Sequence, residues 1–234
     1  MAMNMINSLS RLDLPGILVS VLVLTISLSF HEMCHAWEAY RLGDDTAALQ
    51  GRLTMNPLAH LDPIGTLMFI FAGIGWAKPV VFNPARFKPG VSIQRGTMLV
   101  SLAGPCGNLI LALAASILHA VTVLLAVALG ESALSTLFEN LFLYLYMANT
   151  ALAVFNLLPF PPLDGSKIFS GLMPLNLYYR FLNRERTISL IFLLIVIFAG
   201  NAVVKVLQVV RIPFDLVIWT PIHLLAQWLL RLIS

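Results

Sequence analysis

Two histidines and a glutamate stand where polar groups are least welcome. The run Ser29-Phe30-His31-Glu32-Met33-Cys34-His35-Ala36-Trp37 continues an apolar segment, Ile17 to Phe30, whose polar members are limited to Ser20, Thr25, Ser27 and Ser29. On a helix turning about 100° per residue, His31 and His35 lie only ~40° apart and one turn apart along the axis, so both imidazoles can address one metal ion. Glu32 falls beside them. It is placed to move a proton during hydrolysis without ligating the ion, which is the chemistry behind an H-E-x-x-H pattern. Ionisable groups inside so apolar a run are costly unless paired or metal-bound. The bland alternative is a histidine pair hydrogen-bonded to neighbouring helices, with Glu32 as counter-charge.

A catalytic zinc site takes three protein ligands and leaves one position open. The best source of a third ligand is Asn156-Leu157-Leu158-Pro159-Phe160-Pro161-Pro162-Leu163-Asp164-Gly165. Its prolines stop a helix and hold extended backbone, leaving the Asp164 carboxylate at the membrane edge of an apolar segment. Cys34 is a chemically suitable ligand within a turn of both histidines, yet three ligands from one turn would crowd the ion. Cys106 reads as a small packing residue, since two cysteines make no disulfide framework. Asn108 has two readings, a hydrogen bond between helices or a direct part in substrate binding. His119, alone on an apolar helix, reads as structural.

The elements that must position these groups belong to a membrane protein. Of 234 residues, 59% are hydrophobic and 11% charged, with a mean hydropathy of +0.89, where soluble domains carry about 25% charge. The net charge of +3 reflects basic loops, and without a basic aromatic patch no nucleic-acid partner is expected. Residues 1–13 form a short polar leader. Leu14 to Phe30 resembles a signal peptide but has no small-x-small cleavage site and runs on into the histidine pair, so it is expected to be retained. The first membrane helix spans about 15–42, with Pro15 in its first turn and Gly43 capping it. Residues 44–90 are broken by five prolines. The apolar stretch 64–76 is too short for an ordinary span and reads as re-entrant, with short strands at 51–55 and 79–83.

A second helix spans 93–129, where Gly104 to Asn108 supplies small residues for close helix approach. A third spans 137–158. A polar loop runs from Lys167 to Arg186, with an interfacial stretch at 175–181. Residues 188–204 form a fourth span, and 214–233 a fifth span or an interfacial helix. The fold class is thus an all-α polytopic membrane protein with a small β or re-entrant region, divided into a core, 1–187, and C-terminal membrane helices, 188–234. Loops 41–95 and 160–187 hold ten of the fourteen Lys and Arg residues. Both are therefore expected in the cytoplasm, with the amino terminus outside and His31, His35 and Asp164 toward the cytoplasmic face.

With its paired motifs, His31-Glu32-Met33-Cys34-His35 and Asn156 through Asp164-Gly165, the chain resembles the site-2 protease family of intramembrane zinc metalloproteases, in a compact bacterial form without PDZ or CBS domain. The G-x-x-x-N element of bacterial members matches Gly104 to Asn108. The resemblance implies one Zn2+ per chain held by His31, His35 and Asp164, with Glu32 as general base. It also implies a three-helix catalytic core with a membrane-associated β region, and a part for Asn156 and Asn108 in positioning substrate or stabilising the oxyanion. The partners implied are the lipid bilayer and membrane proteins with a transmembrane segment, unwound for cleavage in the cytoplasmic membrane of a bacterium. Capture of the unwound segment by an exposed edge within 51–83 is expected. The rival from another class is a catalytically silent membrane scaffold or metal transporter with a structural zinc site.

Overall fold

The structure, a computed structural model, describes residues 14–72 and 77–233. The polar leader and the end of the stretch 64–76 lie outside the described residues. Helix α1 (Leu14–Arg41) ends as its sequence dictates. Gly43 takes φ +106°, its N–H donates to the Tyr40 carbonyl at 3.0 Å, and Asp44 N–H donates to the Ala39 carbonyl at 2.9 Å. This pair of bonds satisfies carbonyls that a helix end leaves bare, and the positive φ is what favours glycine.

Helix α2 (Pro63–Ala72) is a short apolar helix whose start is held by Asp62, which accepts from the Gly65 N–H. Helix α3 (Ile93–Leu129) is capped by Ser92, whose hydroxyl accepts from the Arg95 N–H. Its buried face reads Gly104, Gly107, Asn108, Ala112, Ala115, Ser116 and Ala120, small residues three or four apart that let neighbouring backbones come close. Ile110, Leu113, Ile117, Val121 and Leu125 are exposed, as suits a surface solvated by lipid.

Helix α4 (Ala133–Asn156) starts four residues before the expected 137, because Ser132 and Ser135 form a reciprocal capping box. Helices α1, α3 and α4 share one core of Val23, Ala112, Ala115, Leu145, Tyr146 and Ala148. The expected loop 167–186 is instead largely helical, as α5 (Asp164–Gly171) and α6 (Leu175–Leu182). The Gln94 amide donates to the Ser170 and Met173 carbonyls at 2.9 and 2.8 Å, which fastens the end of α5 to the start of α3.

The expected strands at 51–55 and 79–83 do not form. Among the described residues the β element shrinks to one antiparallel bridge, Leu61 to Ala77, extended by Lys78 N–H donating to the His60 carbonyl at 2.7 Å. The reason is competition for donors. Pro79 has none, the Val80 N–H goes to the Glu32 carboxylate at 2.9 Å, and the Asn83 N–H goes to the Asp44 carboxylate. Residues 77–83 therefore form an extended strap fastened at both ends.

Helix α7 (Glu185–Phe214) runs ten residues beyond the expected 204. A π turn, Asp215–Trp219, joins it to α8 (Thr220–Ile233). The chain leaves helical geometry at Ala199 (φ −121°, ψ 27°). Tyr146 on α4 donates its hydroxyl to Asp215 at 2.5 Å, and Arg211 pairs with the other oxygen of that carboxylate at 3.0 Å. His119 is not alone: its Nδ1 lies 2.9 Å from Nε2 of His223, whose ring stacks on Trp219 at 3.7 Å. So α8 packs against α3. Among the described residues, four segments are long and apolar enough to cross a membrane, Leu18–Arg41, Ile93–Leu129, Ala133–Asn156 and Glu185–Leu232, and the chain is an integral membrane protein with an all-α fold.

Candidate metal centre

Three ring and carboxylate atoms meet where α1, α3 and α5 come together. His31 Nε2 and His35 Nε2 are 3.0 Å apart, and Asp164 Oδ2 is 3.2 Å from each. These side chains form a cluster able to hold a metal ion. α1 contributes the histidines from successive turns. α5 contributes Asp164 from its first turn, where the helix end favours negative charge. Gly165 follows because the backbone leaves no alternative: a Cβ there would strike the Leu157 and Leu158 carbonyls.

The other ring nitrogens decide which tautomers face inward. His35 Nδ1 lies 2.7 Å from the Val100 carbonyl, an acceptor only, so that nitrogen carries the hydrogen and Nε2 carries a lone pair. His31 Nδ1 lies 2.5 Å from Asn108 Oδ1, and is likewise N–H. Asp164 Oδ2 faces both Nε2 atoms.

Two lone pairs and a carboxylate oxygen thus point at one spot, an arrangement that repels itself unless a cation sits among them. Ligand bonds of about 2.0–2.2 Å at tetrahedral angles place donor atoms roughly 3.3 Å apart, close to the triangle observed. The donor set, two imidazoles and one carboxylate, also suits a first-row divalent ion with one position left open.

The cluster forms one wall of a cavity of about 150 Å³ that Glu32, Ser101, Asn156 and Lys167 also line, with Pro79, Val80 and Phe82 of the strap across it. Glu32 is 9% exposed and held through Oε2 by the Val80 N–H. Asn156, on the last turn of α4, donates one amide hydrogen to the Leu152 carbonyl and remains at the cavity. Asn108 does not line it. Fully buried, it stands behind His31, and its amide is committed to His31 and Asn149. Cys34 is outside the cluster and lies against Gly107.

Gly104 explains the small-residue element at this depth. A Cβ there would come within 2.6 Å of His31 and nearer still to the His35 ring, so α3 can lie this close to the cluster only as glycine. Two cavity residues carry no signal in the sequence. Ser101 is 1% exposed with no partner for its hydroxyl among the described residues, and Lys167 holds its ammonium 5.7 Å from the Phe82 ring.

The profile of the family described as Peptidase family M50 matches residues 90–200. A protein of Bacillus subtilis (strain 168), "Putative zinc metalloprotease YwhC", is 45% identical over 165 residues, covering 68% of this chain and 72% of that protein. The chain belongs to peptidase family M50. Two proteins named "Putative zinc metalloprotease Rip2" are similar to this M50 chain. That of Mycolicibacterium smegmatis is 33% identical over 157 residues, 63% of this chain and 56% of the relative. That of Mycobacterium tuberculosis (strain H37Rv) is 38% identical over 145 residues, 60% of this chain and 51% of the relative. The M50 chain spans about half the length of the Rip2 proteins it matches. No solved structure matches it. The stretch matched by the M50 profile contains Gly104, Asn108, Asn156 and Asp164, and begins beyond the two histidines that α1 brings to them.

Proposed function

We propose that this M50 chain is an intramembrane zinc endopeptidase that hydrolyses peptide bonds in or near transmembrane segments of membrane proteins. The observation that carries the reading is the convergence of two imidazole nitrogens and a carboxylate oxygen on one point, beside a second carboxylate on the wall of the same cavity. His31, His35 and Asp164 are the assigned ligands of one Zn2+. Bound there, zinc supplies Lewis acidity toward water and toward the carbonyl to be cleaved.

The remaining steps belong to the chain's own side chains. Glu32 accepts the proton of the attacking water and returns it to the leaving amine, a transfer typically worth about 10²–10⁴ in rate. Asn156, with one amide hydrogen unused among the described residues, is the assigned donor to the developing oxyanion. Asn108 is not assigned that role, because its amide is spent behind His31. The strap supports capture of substrate as an added strand: among the described residues, the Val81 and Phe82 N–H groups make no hydrogen bond. An unwound transmembrane segment pairing there lies across the cavity that Glu32 and the histidines line.

The catalytic part is assigned to residues 1–187, with 188–234 as C-terminal membrane helices that pack on it through Phe192 against Phe155 and Phe160. The loops richest in Lys and Arg are assigned to the cytoplasm, which places the site toward the cytoplasmic side of a bacterial cytoplasmic membrane. A structural ion in a silent scaffold would need no general base, and the position of Glu32 on the cavity wall favours the enzyme. The test is Glu32→Gln in the full chain, with a single-span membrane protein as reporter. Near-normal zinc content with cleavage reduced by about 10²-fold or more is expected. Cleavage equal to wild type would refute the assignment.

A further inference from the structure

Behind the histidine cluster lies a buried polar chain that the peptidase chemistry does not use. It links all three core helices, through Ser27 on α1, Asn149 on α4 and Asn108 on α3, each with no exposed surface. The Asn149 amide nitrogen donates to the Leu145 carbonyl at 2.8 Å and to the Ser27 hydroxyl oxygen at 2.8 Å. The Ser27 hydroxyl in turn donates to the Val23 carbonyl at 2.7 Å. Asn149 Oδ1 accepts from Asn108 Nδ2 at 2.7 Å, and Asn108 Oδ1 faces His31 Nδ1.

The polarity of this chain has one solution. A backbone carbonyl can only accept, so the group Asn149 turns toward Leu145 is its NH2, and its oxygen must face Asn108. Asn108 must then present NH2 to Asn149 and oxygen to His31. An oxygen there requires His31 Nδ1 to carry the hydrogen, which leaves the Nε2 lone pair facing His35 and Asp164. The orientation fixed at the Leu145 carbonyl is thereby handed across two amides to the imidazole. Buried polar side chains lack water as a substitute partner, so each link is held by the next.

We infer that Asn149 is a positioning residue for the metal centre, acting through Asn108 to hold His31 in the tautomer that can ligate. The inference rests on the reading of His31 as a zinc ligand. Without Asn149, the Asn108 NH2 keeps only the longer bond to the Ser27 backbone carbonyl, at 3.4 Å, and with its short partner gone the amide can turn over, presenting NH2 to His31 Nδ1. The ring then takes the opposite tautomer, with hydrogen on Nε2 and no lone pair for the ion.

The test uses the full chain in detergent, with Zn2+ or Co2+ in competition with a chelator, for wild type, Asn149→Leu, Asn108→Leu and the double variant. Outer partners of metal-bound histidines are typically worth about 10–100-fold in metal affinity. Asn149→Leu is expected to lower affinity by about tenfold or more, to change the Co2+ ligand-field spectrum, and to add nothing further in the Asn108→Leu background. A merely structural residue would lower affinity by the same factor in both backgrounds. Unchanged affinity in Asn149→Leu, or losses that multiply in the double variant, would overturn the inference.

Should Asn149→Leu fail to fold, 15N NMR of histidine-labelled wild type reads the same point directly. The His31 ring is expected with hydrogen on Nδ1, both with Zn2+ and without it, and the opposite tautomer in the metal-free chain would overturn the relay. A wild-type chain that takes up neither ion refutes the zinc reading instead. The metal-free tautomer then still decides whether the amide chain orients the ring.

Discussion

Gly104→Ala adds a single methyl at the point where α3 touches the metal cluster, and its cost can be worked from the contacts. The new carbon would lie 2.5 Å from His35 Cε1 and 2.6 Å from His31 Cε1. Non-bonded carbons rest about 3.5–4.0 Å apart, so roughly 1 Å must be found. The rings cannot simply recede, since His35 is tied to the Val100 carbonyl at 2.7 Å and His31 to Asn108. Replacing glycine by alanine inside a helix returns up to about 1 kcal/mol, whereas overpacking of this kind costs about 1–3 kcal/mol. The net change in stability is therefore small or moderately unfavourable, with the strain concentrated on the two histidines assigned as ligands. A displacement near 1 Å at reacting groups is worth about 10²-fold in rate. Zinc affinity by chelator competition, together with cleavage of a membrane reporter, should both fall, cleavage by about 10²-fold. Gly200→Ala serves as control, because a Cβ there meets no heavy atom within 4 Å, and it should leave both readings unchanged. A Gly104→Ala chain with wild-type zinc affinity and cleavage would refute the claim that this glycine exists to admit the imidazoles.

Further outcomes follow from other contacts. Val81→Pro removes an N–H that makes no hydrogen bond among the described residues, so zinc content should stay normal while reporter cleavage drops; undiminished cleavage would refute strand addition at the strap. Tyr146→Phe removes the hydroxyl donated to Asp215, and thermal unfolding should report a loss of about 0.6–1.7 kcal/mol, the range of hydrogen bonds between membrane helices. Stripping zinc with a chelator should lower the unfolding temperature of wild type, the ion contributing about 2.7 kcal/mol when free zinc stands at 100 times its dissociation constant. In Asp164→Asn that dependence on the chelator should shrink, since the carboxylate assigned as third ligand is gone.

What could be read in the sequence was whatever local spacing or an expensive charge betrays. His31 and His35 sit four apart on one helix, and Asp164 follows helix-breaking prolines. These residues meet in the structure as their types suggest. Helix α3 begins at Ile93 and ends at Leu129, as the apolar pattern predicts. The failures arose where the deciding partner lies far along the chain. Residues 79–83 have the composition of a strand, but carboxylates from Glu32 and Asp44 take their amide hydrogens. Asn149 looks like one tolerated polar residue in an apolar helix until Asn108 and Ser27 are seen around it. His119 reads as solitary in the sequence because His223 is 104 residues away. The early start of α4 was local, and visible in Ser132 and Ser135, but a serine in place of the usual acidic partner weakens the capping signal.

The strap divides the labour of the Glu32 carboxylate between its two oxygens. Oε2 is occupied by the Val80 amide, while among the described residues Oε1 makes no hydrogen bond. A carboxylate gripped by one oxygen cannot spin about its last bond without losing that grip. The backbone of a loop 48 residues away therefore aims the free oxygen, and shortening or lengthening that loop would misdirect the group assigned as base while every side chain assigned to the chemistry remained in place.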